Sequence, residues 1–390
     1  MKNGEMEGGL TKKGRKYWIF GGIALFIVYN FAAARPIPQE TIMVSQWFSS
    51  LESGYTVSMA GPAEAAESDA AGTVETPGEA GGDPSLIPFR LGDRFGYVTP
   101  SGGLRLNRVK ARNLFLSAPY WAEYEAAAEA VDILGNSGEK VFTVEGGRGY
   151  PFFLDGRLFL VGKDMDTLGA LDGEGKLLWS HDFAAPLTCV DGAAGYVLTG
   201  SLDGVVEILD REGKQFFYFP PGGSRLPVIL GCAISQDGNR LGIVSGIDDQ
   251  RFLLLERYGD PARGEFRVVY HEFLEDGFRR PVHIAFIDGG SRVAYERQGG
   301  LGIYDLQTKT NRIIPLEGEI AAMDSEGSEG VIFVIVSQGE RQKELVGIKL
   351  SGGVILRAPF RSEGAFFHRS GPRLYLGGGN VLAAFEMGRG

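Results

Sequence analysis

The stretch Ala170-Leu171-Asp172-Gly173-Glu174-Gly175-Lys176-Leu177-Leu178-Trp179 runs apolar, turns on Asp and Gly, and returns apolar to an aromatic. The same order recurs at Val206-Glu207-Ile208-Leu209-Asp210-Arg211-Glu212-Gly213-Lys214-Gln215-Phe216-Phe217. Two short apolar runs around a tight Asp/Gly turn form a hairpin, since glycine accepts the left-handed backbone and aspartate caps the turn. Hairpin units spaced at about forty residues leave few architectures open, because each exposes an apolar face that only a neighbouring copy covers. An all-β fold, a single β-propeller, follows from that spacing. The 59 Gly, 25 Phe and 14 Tyr of this 390-residue chain suit many short strands and tight turns.

Other units repeat more loosely. Pro186–Gly192, Cys232–Gly238 and Ile284–Gly289 read as inner strands ending in a glycine turn, each followed by a second apolar strand such as Arg240–Val244 or Ser291–Tyr295. Tyr120–Ala130, with Glu123, Glu125 and Glu129 among alanines, reads instead as a short helix. Hairpin turns fall near residues 100, 136, 173, 211, 259, 307, 351 and 387, yet the last unit stops one outer strand short. Borrowing Leu104–Arg108 to complete it closes the ring at seven four-stranded blades. The alternative is eight, with residues 95–109 in a blade of their own.

Ahead of the propeller at 86–390, three segments differ in composition. Residues 17–34 carry no charge and follow Lys12, Lys13, Arg15 and Lys16. They are long enough to cross a bilayer as a helix, with residues 1–16 in the cytoplasm and all that follows outside it. Ala32-Ala33-Ala34 leaves a cleaved signal peptide as the alternative. Residues 35–85 read as a stalk and linker. Ile42-Met43-Val44 and Trp47-Phe48 supply an ordered start, and Glu52–Ser85, acidic and without Lys or Arg, a flexible tether.

The repeats at Ala170–Trp179 and Ala233-Ile234-Ser235-Gln236-Asp237-Gly238-Asn239-Arg240-Leu241 resemble those of quinoprotein-like and WD40-like propellers. The resemblance spans about residues 86–390 and implies the fold. Quinoprotein dehydrogenases of this kind hold their cofactor with a tryptophan platform, calcium ligands and adjacent cysteines. Here Trp18 and Trp47 precede the propeller and Cys189 and Cys232 are far apart in sequence, so no cofactor is expected. The better analogy is a non-catalytic relative, such as the exported propeller lipoprotein of outer-membrane assembly machinery. This chain shows no lipobox cysteine, which leaves residues 17–34 as the attachment to the inner membrane.

A formal charge of −10 argues against a nucleic-acid partner. Four histidines, His181, His271, His283 and His368, are spread over the chain. Cys232 and His283 occupy equivalent places in neighbouring units but make only a pair, and a metal site needs three or four converging ligands. No metal or catalytic residue is assigned. Cys189 and Cys232, on inner strands of successive blades, are expected too far apart to bond and to stay free. Gly146–Gly149 and Gly377–Asn380 stand between no strand and helix and read as turns.

Linkers between blades carry Arg148, Arg225, Arg279, Arg280 and Arg361, and the closing segment adds Arg108, Lys110 and Arg112. On one rim these arginines would form a collar for an anionic partner, unless Asp164, Asp166, Asp203, Asp248 and Asp249 neutralise it. The expected function is a non-enzymatic, membrane-tethered scaffold for an envelope protein in the periplasm. The alternatives are a propeller enzyme (oxidoreductase, lyase or hydrolase) and a sensor of a small anion at the channel mouth.

Overall fold

The computed structural model describes residues 41–54, 56–59, 83–146, 149–260, 263–325, 327 and 330–389. Met43–Met387 make one compact unit; of the other, Met1–Ile42 with Gly388–Gly390, only residues 41, 42, 388 and 389 are described. The expected membrane segment 17–34 lies outside the described residues, and no helix among those described is long and apolar enough to cross a membrane.

Eight sheets succeed one another along the chain. Blade 1 has three strands, Ile87–Leu91, Arg94–Val98 and Leu104–Val109. Blades 2 to 7 have four each and span residues 113–145, 149–182, 187–219, 229–273, 284–315 and 319–361. Blade 8 takes Ala365–Ser370, Arg373–Gly378 and Val381–Arg389 and is completed by Thr41–Ser50, with Thr56–Ser58 at its edge. The inner strand of blade 1 packs on that of blade 8, which closes the ring.

Seven blades is therefore corrected to eight, the stated alternative. Leu104–Val109 is the third strand of blade 1, paired with Arg94–Val98, and does not close the ring. The closing strand is Thr41–Ser50, which the sequence reading placed in the stalk. A three-stranded first blade misleads any count by fours, and the turn expected near 387 lies within the strand Val381–Arg389. Trp47 anchors the closure: it is buried, its indole N–H donates to Pro100 O at 2.9 Å, and its ring lies 6.2 Å from that of Tyr375. Asn107 Nδ2 donates to Leu51 O at 2.6 Å, so the same segment ties blade 8 to blade 1.

The helix expected over Tyr120–Ala130 is replaced by two strands, Tyr120–Tyr124 and Ala130–Gly135. Trp121 and Tyr124 are buried, and burying those rings between blades outweighs the helix preference of the intervening alanines.

Each blade grades from its middle to its edge. Second and third strands such as Ile332–Val336 and Phe252–Leu255 are buried on both faces, so they read as unbroken apolar runs. The outer strand Val354–Arg361 alternates half-buried and exposed side chains along its whole length. The repeated turns behave as read: Asp172 Oδ1 accepts from the Glu174 and Lys176 N–H groups, both at 2.9 Å, and Asp210 Oδ1 from those of Glu212 and Lys214 at 3.0 and 2.9 Å. Gly175 and Gly213 take the left-handed conformation, at φ 82° and 76°.

Candidate functional site

Linkers between blades share one end of the ring, here the linker rim, with the turns between second and third strands. Inner-strand hairpin turns of blades 2 to 8 lie at the opposite end, whereas that of blade 1, at Gly92, abuts Gly364 in the linker before blade 8. Arg225 on the linker rim meets Asp248 at 3.1 Å, one of the aspartates expected to neutralise the collar. Asp248 also accepts from the Ser224 hydroxyl, and the two contacts, Ser224 first, hold its carboxyl well below the usual range. Arg280 makes a two-pronged bond to Glu296, at 2.7 and 3.2 Å, and lies 3.8 Å from Glu319; its proton is held more tightly for that reason. Arg112 stands 3.8 Å from Glu125.

Arg279 is exposed, and Arg361, also exposed, ends the outer strand of blade 7 opposite Gln342. Arg108 pairs with Phe95 and lays its guanidinium over Trp121, 5.1 Å from the ring centre; its neighbour Asn107 reaches Leu51 O, and Leu51 N–H donates to Asn380 O, so Arg108 too lies at the linker rim. Arg148 lies outside the described residues. Asp203 accepts from Ser201 Oγ at 2.5 Å, and Asp164 and Asp166 line a cavity of about 860 Å³ with Glu129, Glu145 and Lys163. On the linker rim Arg112, Arg225 and Arg280 thus each face a carboxylate, and Arg108 faces a ring.

Two acidic residues that sequence reasoning missed do their work between blades. Glu296 is 1% exposed and also accepts from the His283 and Ile320 N–H groups at 3.1 and 3.3 Å, which joins blade 6 to blade 7. Glu272 accepts from Tyr295 at 2.8 Å, Tyr270 at 3.0 Å, Arg297 at 2.9 Å and Asn311. Burial, then the Glu272 charge, pushes the Tyr270 phenol up to about 12. No motif announces either residue, because their partners come from other strands.

Also unforeseen is a run of exposed apolar residues on the linker rim. Met165 stands on a turn of blade 3, Leu202 on the matching turn of blade 4, and Leu226 on the linker from blade 4 to blade 5, at 38%, 51% and 53% exposure. Backbone bonds hold these loops in place: Leu187 N–H donates to Met165 O at 2.6 Å, Leu202 N–H to Pro186 O at 2.8 Å, and Ile247 N–H to Leu226 O at 3.0 Å.

The central channel opens at the hairpin end into a cavity of about 620 Å³ lined by residues of blades 3 to 7, among them Asp155, Asp191, Cys232 and Phe286. Asp191 accepts from the Ile234 N–H at 2.8 Å, and burial raises its carboxyl pKa. Asp155 accepts from the Gly195 N–H at 3.0 Å. Cys232 lines this cavity, whereas the main chain of His283 is bound to Glu296. Among the described residues no three His, Cys, Asp or Glu side chains are grouped to hold a metal. Cys189 and Cys232 are both free; their strands pack on each other and the two side chains share one apolar cluster.

A family model described as beta-propeller protein matches residues 6–390. An uncharacterized protein of Treponema pallidum (strain Nichols) is 27% identical over 330 residues, covering 85% of this chain and 83% of its own. Among solved structures, BamB from Moraxella catarrhalis superposes with a TM-score of 0.53 over 78% of this chain and 97% of its own. The computationally designed Ika8 protein gives 0.55, over 80% and 98%. Both are 14% identical to this chain, and what they share with it is the fold.

Proposed function

The chain belongs to the beta-propeller protein family, and from that premise we propose that it is a non-enzymatic docking scaffold, tethered to the inner membrane by residues 17–34 and holding an envelope protein on its linker rim outside the cytoplasm. The exposed apolar run of Met165, Leu202 and Leu226 carries the reading. Large apolar side chains held in water on rigid loops are poor for solubility and good for association. Arg225 beside Leu226 is already paired with Asp248, so the matching surface is an apolar one. The charge-free span at 17–34 behind a basic flank supports the tether.

Photo-cross-linkers placed in the full chain at Leu202, Leu226 and, on the outer strand of blade 3, Leu178 test the surface in intact cells. One discrete adduct from both rim positions, absent from Leu178 and lost on Leu202→Glu, is the expected result. Equal adducts from all three positions, or none from the rim, would overturn it.

A further inference from the structure

We propose that Cys189 and Cys232 form an intramolecular disulfide that ties blade 4 to blade 5 at the channel wall when the folded chain meets a small disulfide oxidant. The two cysteines lie on Leu187–Ala193 and Ile229–Ile234, the inner strands of successive blades, and these strands pack directly on each other. Bonds on either side of the pair hold the strands close: Thr188 Oγ1 donates to Ile229 O at 2.5 Å, and Asp191 Oδ2 accepts from the Ile234 N–H at 2.8 Å. Inner strands of a propeller usually diverge, and this double clasp draws them together at the cysteines.

The sulfurs face the same space. Cys189 pairs with Gly200, and a Cβ on Gly200 would lie 2.6 Å from Cys189 Sγ and also overlap Ile229, so the Cys189 thiol points across toward the blade 5 strand. The Cys189 thiol, first, and burial, second, hold the Cys232 proton on more tightly than in a free cysteine. Cys232 lines the channel cavity and Cys189 is half-buried, so a small molecule in the channel reaches the pair.

The chemistry balances as two exchanges. One cysteine, as thiolate, attacks the oxidant R–S–S–R, forming a mixed disulfide and releasing one R–S⁻. The second attacks the mixed disulfide at the protein sulfur and releases the other R–S⁻. The cysteines' two protons end on two R–SH, and two electrons pass from the dithiol to the oxidant.

Folded full-length protein is incubated with 2-hydroxyethyl disulfide, quenched in acid, unfolded and alkylated. Alkylatable thiols are expected to fall from two per chain to none, with the Cys189 and Cys232 peptides linked in the non-reduced digest. In Cys189→Ser and Cys232→Ser chains the remaining cysteine should carry at most a 2-hydroxyethylthio group, as a mixed disulfide. Two thiols still free in the wild type, or two adducts without a linked peptide, would show that the strands do not let the sulfurs join.

Discussion

Trp179 closes over Gly213. It ends the repeat of blade 3, its indole N–H donates to Arg211 O at 2.8 Å in the turn of blade 4, and a side chain on Gly213 would overlap its ring. Phe142 stands in the same relation to Gly175, where an added Cβ would lie 2.8 Å from the ring; at Gly264 it would meet the Phe216 main-chain oxygen first and then the ring. An aromatic near the start of one outer strand is thus the seat for the next blade's turn glycine. The two most regular features of the repeat, the terminal aromatic and the turn glycine, are halves of one contact between neighbours.

Gly213→Ala should destabilise the propeller by roughly 1–3 kcal/mol, since alanine is strained at a φ of 76° and its methyl displaces the indole. Trp179→Phe keeps the ring and loses the bond to Arg211, at about 1 kcal/mol. Denaturant unfolding of both variants measures the pair, and a Gly213→Ala chain as stable as wild type would refute the seat.

Neighbouring arginines on the linker rim should behave differently. Arg280→Ala leaves the Glu296 carboxylate, 1% exposed, without its cation, at a cost of about 3–5 kcal/mol. Arg279→Ala, at an exposed position, should stay within about 0.5 kcal/mol of wild type. Thermal unfolding of the two single variants separates them; equal losses would contradict the assignment of Arg280 to the frame.

His368 should make stability depend on pH. Burial lowers its pKa, only partly offset by Asp324, so the folded state disfavours the imidazolium relative to the unfolded chain. A depressed folded pKa means that the unfolded chain binds more protons as pH falls below about 6.5. This contribution is complete above that value and is lost as pH drops toward the folded pKa. Unfolding midpoints from pH 8 to 5 should fall less steeply for His368→Gln than for wild type; parallel slopes would assign the dependence to other groups.

Shortening the chain tests both closure and tether. Without residues 1–40 the propeller keeps its closing strand and should unfold cooperatively, and on the proposed function it should leave the membrane fraction. Without residues 1–58 blade 8 loses Thr41–Ser50 and the buried Trp47 and Leu51, and no cooperative transition should remain. Cooperative unfolding of the shorter form would show that Thr41–Ser50 is dispensable to the ring.

From the sequence by itself came the hairpins, the turn role of Asp172 and Asp210, and a propeller of seven or eight blades. These are local matters: a turn is specified by four or five adjacent residues, and alternation along a strand reports its own burial. Only the tertiary structure decided that the first blade stops at three strands, that Thr41–Ser50 closes the ring, that Arg280 answers to Glu296, and that Cys189 meets Cys232. Each of these joins residues distant in the chain, and a strand's own alternation says that it is covered without saying by what. The arginines drew attention by their charge, but whether a charge is free or paired depends on side chains from other strands, and those were set by the ring.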